Sequence, residues 1–473
     1  MSQTITIDPV TRLEGHGKIT IQLNDQGEVA DAHFHVTQVR GFERFSQGRP
    51  FYEMPSLTAR ICGICPVSHL LASAKACESI MSVQIPHTAA QLRRILNLAQ
   101  MVQSHSLSFF HLSSPDLLLG MEADPAVRNI LGVAATRPEL GRAGIALRRF
   151  GQRTIELLGT KRIHTGWVIP GGVTEPLSSA HRDEILAMLP EAYANVRLAL
   201  TAYKQIASSF KAEIEVFANF PSLYLGLVNE DESIEFTDGA LRLIDATGQT
   251  VENGITAARF PEVIGEAVEP YSYTKFVYYK PLGYPEGSYR VGPLARLNIV
   301  QRMGTPLADQ ELAEFKQLAE GPVESSFHYH HARLVEVLYG IEKIEEILAD
   351  PRILGTHVRA IAGVNHLEGT GQIEAPRGTL HHHYKVDEDG KITWASLVVA
   401  TGHNNNAMNK GVLQAAKVYV RNGKFTEGAL NRVEAVIRTF DPCLSCSTHA
   451  FGQMPLAMTL LSSDGEVVDT MVR

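Results

Sequence analysis

The chain has 473 residues, 44% of them hydrophobic, enough for a sizeable core that folds without disulfide staples. Its 43 Lys and Arg face 51 Asp and Glu, and the net charge of -8 argues against nucleic acid or an acidic membrane as the main partner. The opening residues lack the charged-then-apolar pattern of a signal peptide and no run of about 18 apolar residues occurs, so no membrane span and a cytoplasmic location are expected, unless an exported partner carries the chain.

In chain order, residues 18 to 36 predict a β-hairpin: Ile19, Ile21 and Leu23 alternate with polar residues, Asn24 to Gly27 supply turn chemistry, and Ala32, Phe34 and Val36 alternate again. Helices are expected over 69–81 and 88–110, the second with Leu92, Ile95, Leu96, Ala99 and Val102 on one face. Two more, over 126–158 and 178–211, flank the breaker-rich Ile169-Pro170-Gly171-Gly172. From 213 to 299, short apolar pieces broken by Gly, Pro and Asp predict small sheets and long loops. A helix over 325–349 carries Leu334, Leu338, Ile341, Ile344 and Leu348, and strands surround the turn at Asp387 to Gly390. The expected architecture is one interlocked α+β body, a central bundle of long helices flanked by small antiparallel sheets near both ends of the chain. Its parts would be N-terminal strands (1–60), the helical core (61–212), a loop and sheet region (213–300), a helix followed by C-terminal strands (301–449) and a terminal extension (450–473).

Four of the five cysteines form two C-x-x-C pairs far apart in sequence, Cys62 with Cys65 and Cys443 with Cys446. A C-x-x-C turn leading into a helix presents two thiolates to one metal, because helix-end N–H groups and a nearby cation lower thiol pKa. Pro66 and Ser68 suit such a helix start. A lone pair is as readily a redox dithiol or two small buried hydrophobes, but two pairs in a protein expected to be cytoplasmic favour metal over structural disulfides. Zinc ribbons bring their pairs within about 20 residues; here most of the chain separates them. Ligand type alone leaves zinc, an iron-sulfur cluster, copper(I) and nickel open.

The surrounding motifs are DPVTRLEGHGKI at 8–19, RGFE at 40–43, RICGICPVSH at 60–69, PGGV at 170–173, EAPRGTL at 374–380 and DPCLSCSTH at 441–449. Through them the chain resembles, over essentially its full length, the large catalytic subunit of nickel-iron hydrogenases. Overall similarity is greatest to the soluble NAD-linked branch.

The resemblance implies a bimetallic centre. Cys62 and Cys443 would be terminal nickel ligands, and Cys65 and Cys446 would bridge nickel to an iron that also bears two cyanides and one carbon monoxide. A magnesium ion would take the Glu43 carboxylate, the backbone carbonyl of Leu397 and the His449 imidazole, with waters completing an octahedron. Arg377 would hang over the open metal position, where a guanidinium polarises dihydrogen better than it serves as a base. The Cys443 thiolate would then be the first proton acceptor, and Glu14 the carboxylate that relays the proton outward. Around these, Asp116 and Asp441 would hold Arg377, His69 would bond a bridging sulfur, Thr401 would donate to a cyanide, and Leu380 and Val399 would line the carbon monoxide pocket. Without the motifs, Glu14 and Glu43 read as ordinary carboxylates, Asp116 as a helix cap and Thr401 as a turn residue.

Other features carry less. The runs His381 to His383 and His328, His330, His331 cannot all chelate one ion, since neighbouring strand residues point to opposite faces, and they read as solvent-facing and packed residues. Cys77 reads as a buried, inert thiol.

Two electrons from dihydrogen must leave the site, yet only Cys77 remains for an iron-sulfur cluster, which takes four ligands, and no dinucleotide fingerprint or Walker A loop is present. Partners are therefore expected: an iron-sulfur small subunit, diaphorase subunits carrying FMN and binding NAD, nickel-insertion factors, and an endopeptidase cutting between His449 and Ala450. The alternatives are a redox-silent relative resembling the 49-kilodalton subunit of respiratory complex I, which lacks the four cysteines, and a hydrogen-sensing or structural metal protein.

Overall fold

Where apolar and polar residues alternate at the N-terminus, the chain forms an antiparallel three-stranded sheet in the order β1 (Gln3–Ile7), β2 (Gly17–Leu23), β3 (Val29–Val36). Ile19, Ile21 and Leu23 are buried on its inner face. The Asn24 amide bonds Glu28 O and the Gly27 amide bonds Asn24 O, closing the hairpin at the expected turn. The computed structural model describes residues 3–421, 424–448, 457–462 and 466–472.

The bundle is built from α1 (Pro66–Met81), α2 (His87–Leu107), α3 (Pro138–Gly159), α4 (Ser179–Ala207) and α5 (Tyr329–Ala349). Helix α2 is central, packing against α3 and α5. Its expected apolar face, Leu92, Ile95, Leu96, Ala99 and Val102, is wholly buried, each side chain but that of Ala99 contributing about 1.5–3 kcal/mol of transfer free energy.

Several helix ends differ from the periodicity. The helix expected over 126–158 is two helices, Ile130–Thr136 and α3, because Pro138 has no N–H to continue the ladder and takes the first position of the second. The expected 178–211 helix stops at Ala207, and Lys211–Val216 forms a short separate turn of helix. Beyond Leu107, α2 passes into a π-helical stretch, Ser108–Ser113, and then Ser114–Leu119. Widened turns of this kind shift the angular phase of the next residues along the helix.

The 213–300 region holds a four-stranded sheet in the order Tyr289–Arg290, β4 (Leu223–Val228), β5 (Ala240–Ile244), β6 (Thr250–Ile255), with the first pair parallel. A second antiparallel sheet comes after α5: β7 (Glu368–Ala375), β8 (Gly378–Val386) and β9 (Ile392–Val398). Helix α1 lies on it closely because β7 is glycine-containing at the contact; a Cβ at Gly371 would lie 2.2 Å from Ala72 O. Being the middle strand and covered on both faces, β8 buries His381, His382 and His383, and the second run, His328, His330 and His331, is buried too. The reading of these histidines as partly solvent-facing is thus corrected to packed. Helices α6 (Asn405–Tyr419) and α7 (Glu427–Phe440) complete the body, and one apolar core runs from Ile7 to Cys446. Among the described residues, no helix is long and apolar enough to cross a membrane.

Candidate metal centre

Each cysteine pair sits on a turn that neighbouring elements hold. Cys62 ends the 3-10 turn Ala59–Ile61 in extended conformation, and Cys65 caps α1, whose first residue is Pro66. The Ile64 and Cys65 amides both point at Cys62 Sγ across 3.2 Å. From α2, Gln100 accepts from the Val67 amide at 2.7 Å and donates to Ser68 Oγ, while Gln103 donates to Ile64 O at 2.7 Å. The Val67 amide is one of those that a helix start otherwise leaves unpaired, and Gln100 satisfies it. The second pair lies just beyond α7, where Asp441 adopts a left-handed conformation (φ 54) that turns the chain into Cys443 and the short helix Leu444–Ser447. Arg40 ties the two pairs together: its guanidinium bonds Ile61 O, just before Cys62, and its amide donates to Thr448 O at 2.6 Å.

The four sulfurs converge. Cys62 and Cys443 are 3.4 Å apart, Cys65 and Cys446 3.3 Å, Cys443 and Cys446 2.9 Å, and all four Sγ atoms lie within 4.8 Å of one another with no disulfide formed. Burial pushes the Cys443 and Cys446 thiols well up, whereas hydrogen bonds, chiefly from Cys443, hold Cys62 well down. Four buried sulfurs at this spacing cannot all ionise together without a counter-charge. A cationic metal pair held by the four cysteines would supply that charge, and a soft thiolate set suits nickel and iron. Cys77 stands apart, its thiol donating to Phe51 O at 3.1 Å and pushed well up by burial.

A cavity of about 10 Å³, room for one very small molecule, opens beside the sulfurs. It is lined by Cys65, Cys443 and Cys446 together with Arg377, His69, Leu380, Val399 and Thr401. Arg377 donates to Asp441 O at 2.5 Å and Asp441 Oδ1 at 3.0 Å, and to Ser104 Oγ at 3.2 Å. Burial lowers its affinity for the proton, but the Asp441 carboxylate and the Cys443, Cys65 and Cys62 sulfurs outweigh burial and raise it above the ordinary arginine value. It is a permanent cation.

Glu14 reaches the centre from the N-terminal segment, which runs beside Cys443 as a parallel bridge. The Cys443 thiol donates to Glu14 Oε2 at 3.2 Å, and the Ser445 amide donates to the same oxygen at 3.0 Å. Gly15 makes this approach possible: with φ +94, a Cβ there would lie 2.6 Å from Leu444 Cβ.

The expectation that Asp116 holds Arg377 is corrected. Asp116 instead accepts from Arg12 at 2.5 Å, Arg438 at 3.0 Å and Asn431 at 3.0 Å. Burial pushes its carboxyl up, but the Arg438 and Arg12 guanidiniums outweigh this and hold it low. It thereby anchors the RLEGH segment two residues from Glu14. The place beside Arg377 belongs to Ser104, twelve residues earlier and about 18 Å along a helix axis. Of the two carboxylates expected there, only Asp441 bonds Arg377.

Thr401 Oγ1 accepts from the Cys443 amide at 3.0 Å and donates to Cys443 O at 3.3 Å, so its hydroxyl steadies the cysteine turn at the cavity wall. His69 Nδ1 lies 3.1 Å from His382 Nε2, and His382 Nδ1 lies 2.6 Å from Tyr384 OH. His382 was missed because the histidine run gave no hint of which face it takes. Glu43 Oε1 accepts from the Leu397 amide at 2.8 Å. His449, the third magnesium ligand expected, lies outside the described residues, as does the His449–Ala450 junction.

Comparison with known proteins agrees with this centre. A family model described as nickel-dependent hydrogenase matches residues 40–130 and 228–449, and one described as HoxL-like matches residues 4–39. The beta subunit of the NAD-reducing hydrogenase HoxS of Cupriavidus necator is 40% identical, with the whole of both chains covered. A chain of the vhc F420-non-reducing hydrogenase of Methanococcus voltae is 39% identical over 99% of each chain. Among solved structures, a NAD+-reducing NiFe-hydrogenase in the H2-reduced state superposes with TM-score 0.92 at 43% identity, covering 94% of this chain and 99% of that one. The Ni-Fe-Se hydrogenase of D. vulgaris Hildenborough does so with TM-score 0.75 at 26% identity, covering 95% and 100%.

The chain belongs to the nickel-iron hydrogenase large-subunit family. It is the catalytic subunit, and the redox-silent alternative falls away with the four convergent cysteines in place.

Proposed function

We propose that this chain is the hydrogen-activating subunit of a NAD-linked hydrogenase that works in the cytoplasm with flavin-bearing diaphorase subunits and an iron-sulfur small subunit. Supporting the NAD-linked reading are the TM-score of 0.92 to a NAD+-reducing enzyme, against 0.75 for the Ni-Fe-Se enzyme, and the HoxL-like match over residues 4–39. When bound, the nickel-iron pair, with carbon monoxide and cyanides on iron, supplies heterolytic activation of dihydrogen and takes up the two electrons.

The chain's own residues handle the proton and the pocket. Cys62, Cys65, Cys443 and Cys446 would hold the metals, as their mutual spacing within 4.8 Å supports. Arg377, cationic and fixed by Asp441, sets a positive field across a cavity that admits only a very small molecule. Leu380 and Val399 keep that cavity apolar, and His69 and Thr401 complete its lining. Cys443 Sγ takes the proton and passes it to Glu14 Oε2, 3.2 Å away, a direct hydrogen-bond reach. That contact is the observation carrying the mechanistic reading. Glu43, the Leu397 carbonyl and His449 would hold magnesium, and release of residues 450–473 by an endopeptidase after nickel insertion would complete maturation.

The test is purification of the complex. Nickel and iron near one each per chain, infrared bands of metal-bound carbon monoxide and cyanide, and hydrogen-dependent NAD reduction are expected. Zinc alone at the four cysteines would overturn the reading.

A further inference from the structure

The turn that carries Arg377 is bonded to a group of fully buried charges that the chemistry above does not use. Arg296, on the helix Pro293–Ile299, spends five donor bonds there. Its Nε and Nη2 bond Glu336 Oε1 and Oε2, both at 2.7 Å, and its Nη1 bonds Glu374 Oε2 at 2.7 Å. The remaining two reach the backbone, from Nη1 to Ala375 O at 3.0 Å and from Nη2 to Pro376 O at 3.2 Å. A guanidinium has five N–H groups, so none is left over. His105 Nε2 lies 2.8 Å from Glu336 Oε2 and completes the far side of that carboxylate. His105 also adjoins Ser104, the residue that bonds the Arg377 side chain.

The side chains of Arg296, Glu336 and Glu374 are 0% exposed. Buried ion pairs of this kind return little net stability, since desolvation offsets most of the attraction. What the arrangement does secure is geometry. Two of the five bonds end on the carbonyls of the two residues immediately before Arg377, and the bidentate grip of Glu336 fixes the plane of the guanidinium that makes them.

We propose that Glu336 is a positioning residue that acts through Arg296 to hold the Ala375-Pro376 backbone, and so aims Arg377 at the cavity. The proposal rests on the role given to Arg377 above. Glu336→Gln replaces one acceptor with an amide that can only face the guanidinium donors, so at most one of the two bonds survives.

The experiment is a double-mutant cycle in the assembled complex, with Glu336→Gln, Arg377→Lys and both together. It reads hydrogen-dependent kcat, KM for NAD, nickel and iron content, and the infrared bands of the metal-bound diatomics. Glu336→Gln is expected to lower kcat about tenfold to a hundredfold, with metals and KM for NAD unchanged and the bands displaced. The double variant is expected to be no slower than Arg377→Lys alone, because both changes act on one group. Losses that multiply, or a Glu336→Gln enzyme at full kcat beside an impaired Arg377→Lys, would overturn the positioning role alone. Unchanged kcat in Arg377→Lys would remove the role of Arg377 itself and this proposal with it. If Glu336→Gln fails to assemble, Arg296→Lys takes its place in the cycle: it keeps the cation but cannot serve Glu336 and both carbonyls at once. Full kcat in that variant, or loss of its metals while Arg377→Lys stays loaded, would equally overturn the proposal.

Discussion

Glu14 and Cys443, 429 positions apart, share a hydrogen bond of 3.2 Å from sulfur to carboxylate oxygen, and their backbones run side by side as a parallel bridge. The connection between the first two strands is thus tied to the last cysteine pair. In the relay proposed above, that carboxylate would receive the proton leaving the centre.

Glu14→Gln keeps the shape and the Ser445 contact but removes the proton acceptor. Turnover is expected to fall about a hundredfold to ten-thousandfold, with nickel and iron still bound and the infrared bands retained. Unchanged hydrogen–deuterium exchange in this variant would take Glu14 out of the relay.

Gly15→Ala tests the same approach from the backbone. Its Cβ would collide with Leu444 Cβ at 2.6 Å, and its φ of +94 is one that side chains resist; the strain is on the order of 1–3 kcal/mol. Relief requires the segment carrying Glu14 to draw back from Cys443. We expect loss of proton exchange in a metal-loaded complex with a slightly lowered Tm, and a fully active Gly15→Ala enzyme would show that the close approach is dispensable.

Cys446→Ser removes a sulfur that lies 3.3 Å from Cys65 and 2.9 Å from Cys443. A serine hydroxyl is a hard, protonated donor where a soft thiolate is needed. Elemental analysis should find the bimetallic centre missing and activity abolished; full activity would contradict the ligand assignment.

Stability should depend on acid in a predictable direction. Burial pulls His328 down to about 4 and His330, His381 and His403 down to about 3, from an ordinary 6.5. Below 6.5 the unfolded chain binds protons on these side chains while the native protein does not, so stability is present above 6.5 and is lost as pH falls toward the native values. Each histidine contributes up to about 1.4 kcal/mol per pH unit within that window. Thermal unfolding followed from about pH 7 to about pH 5 should show Tm falling steadily, and His330→Phe, whose site is flanked by Phe109 and Phe327, should lessen the slope by about one proton. An unchanged slope in that variant would mean that His330 is not the neutral, buried group described.

The cysteine pairs were legible because C-x-x-C is a local pattern: spacing alone tells that two thiols share a turn. Long helices such as α2 were legible for a similar reason, since a repeat of 3.6 residues needs no partner to be seen. Helix ends were less so where Pro138 restarted a helix and where the π-helical stretch after Leu107 obeyed no periodic rule. Asp116 shows the consequence. Its motif marked it as important, but a widened helix and eleven intervening residues carry it to Arg12 and Arg438, and an unremarkable serine takes the place beside Arg377.

What the sequence by itself determined was the chemistry on offer: four thiols, a carboxylate in RLEGH, an arginine after Pro376, and motifs that together define one family. The motifs already implied that Cys62, Cys443 and Glu14 meet, but only the tertiary structure put Ser104 beside Arg377, Asp116 between Arg12 and Arg438, and Arg296 on the backbone before Arg377. The physical reason is that hydrogen bonds and metal coordination act over about 2–3.5 Å, whereas sequence patterns report only neighbours along the chain. Contacts of that kind are settled by how helices and sheets pack, which no local pattern contains.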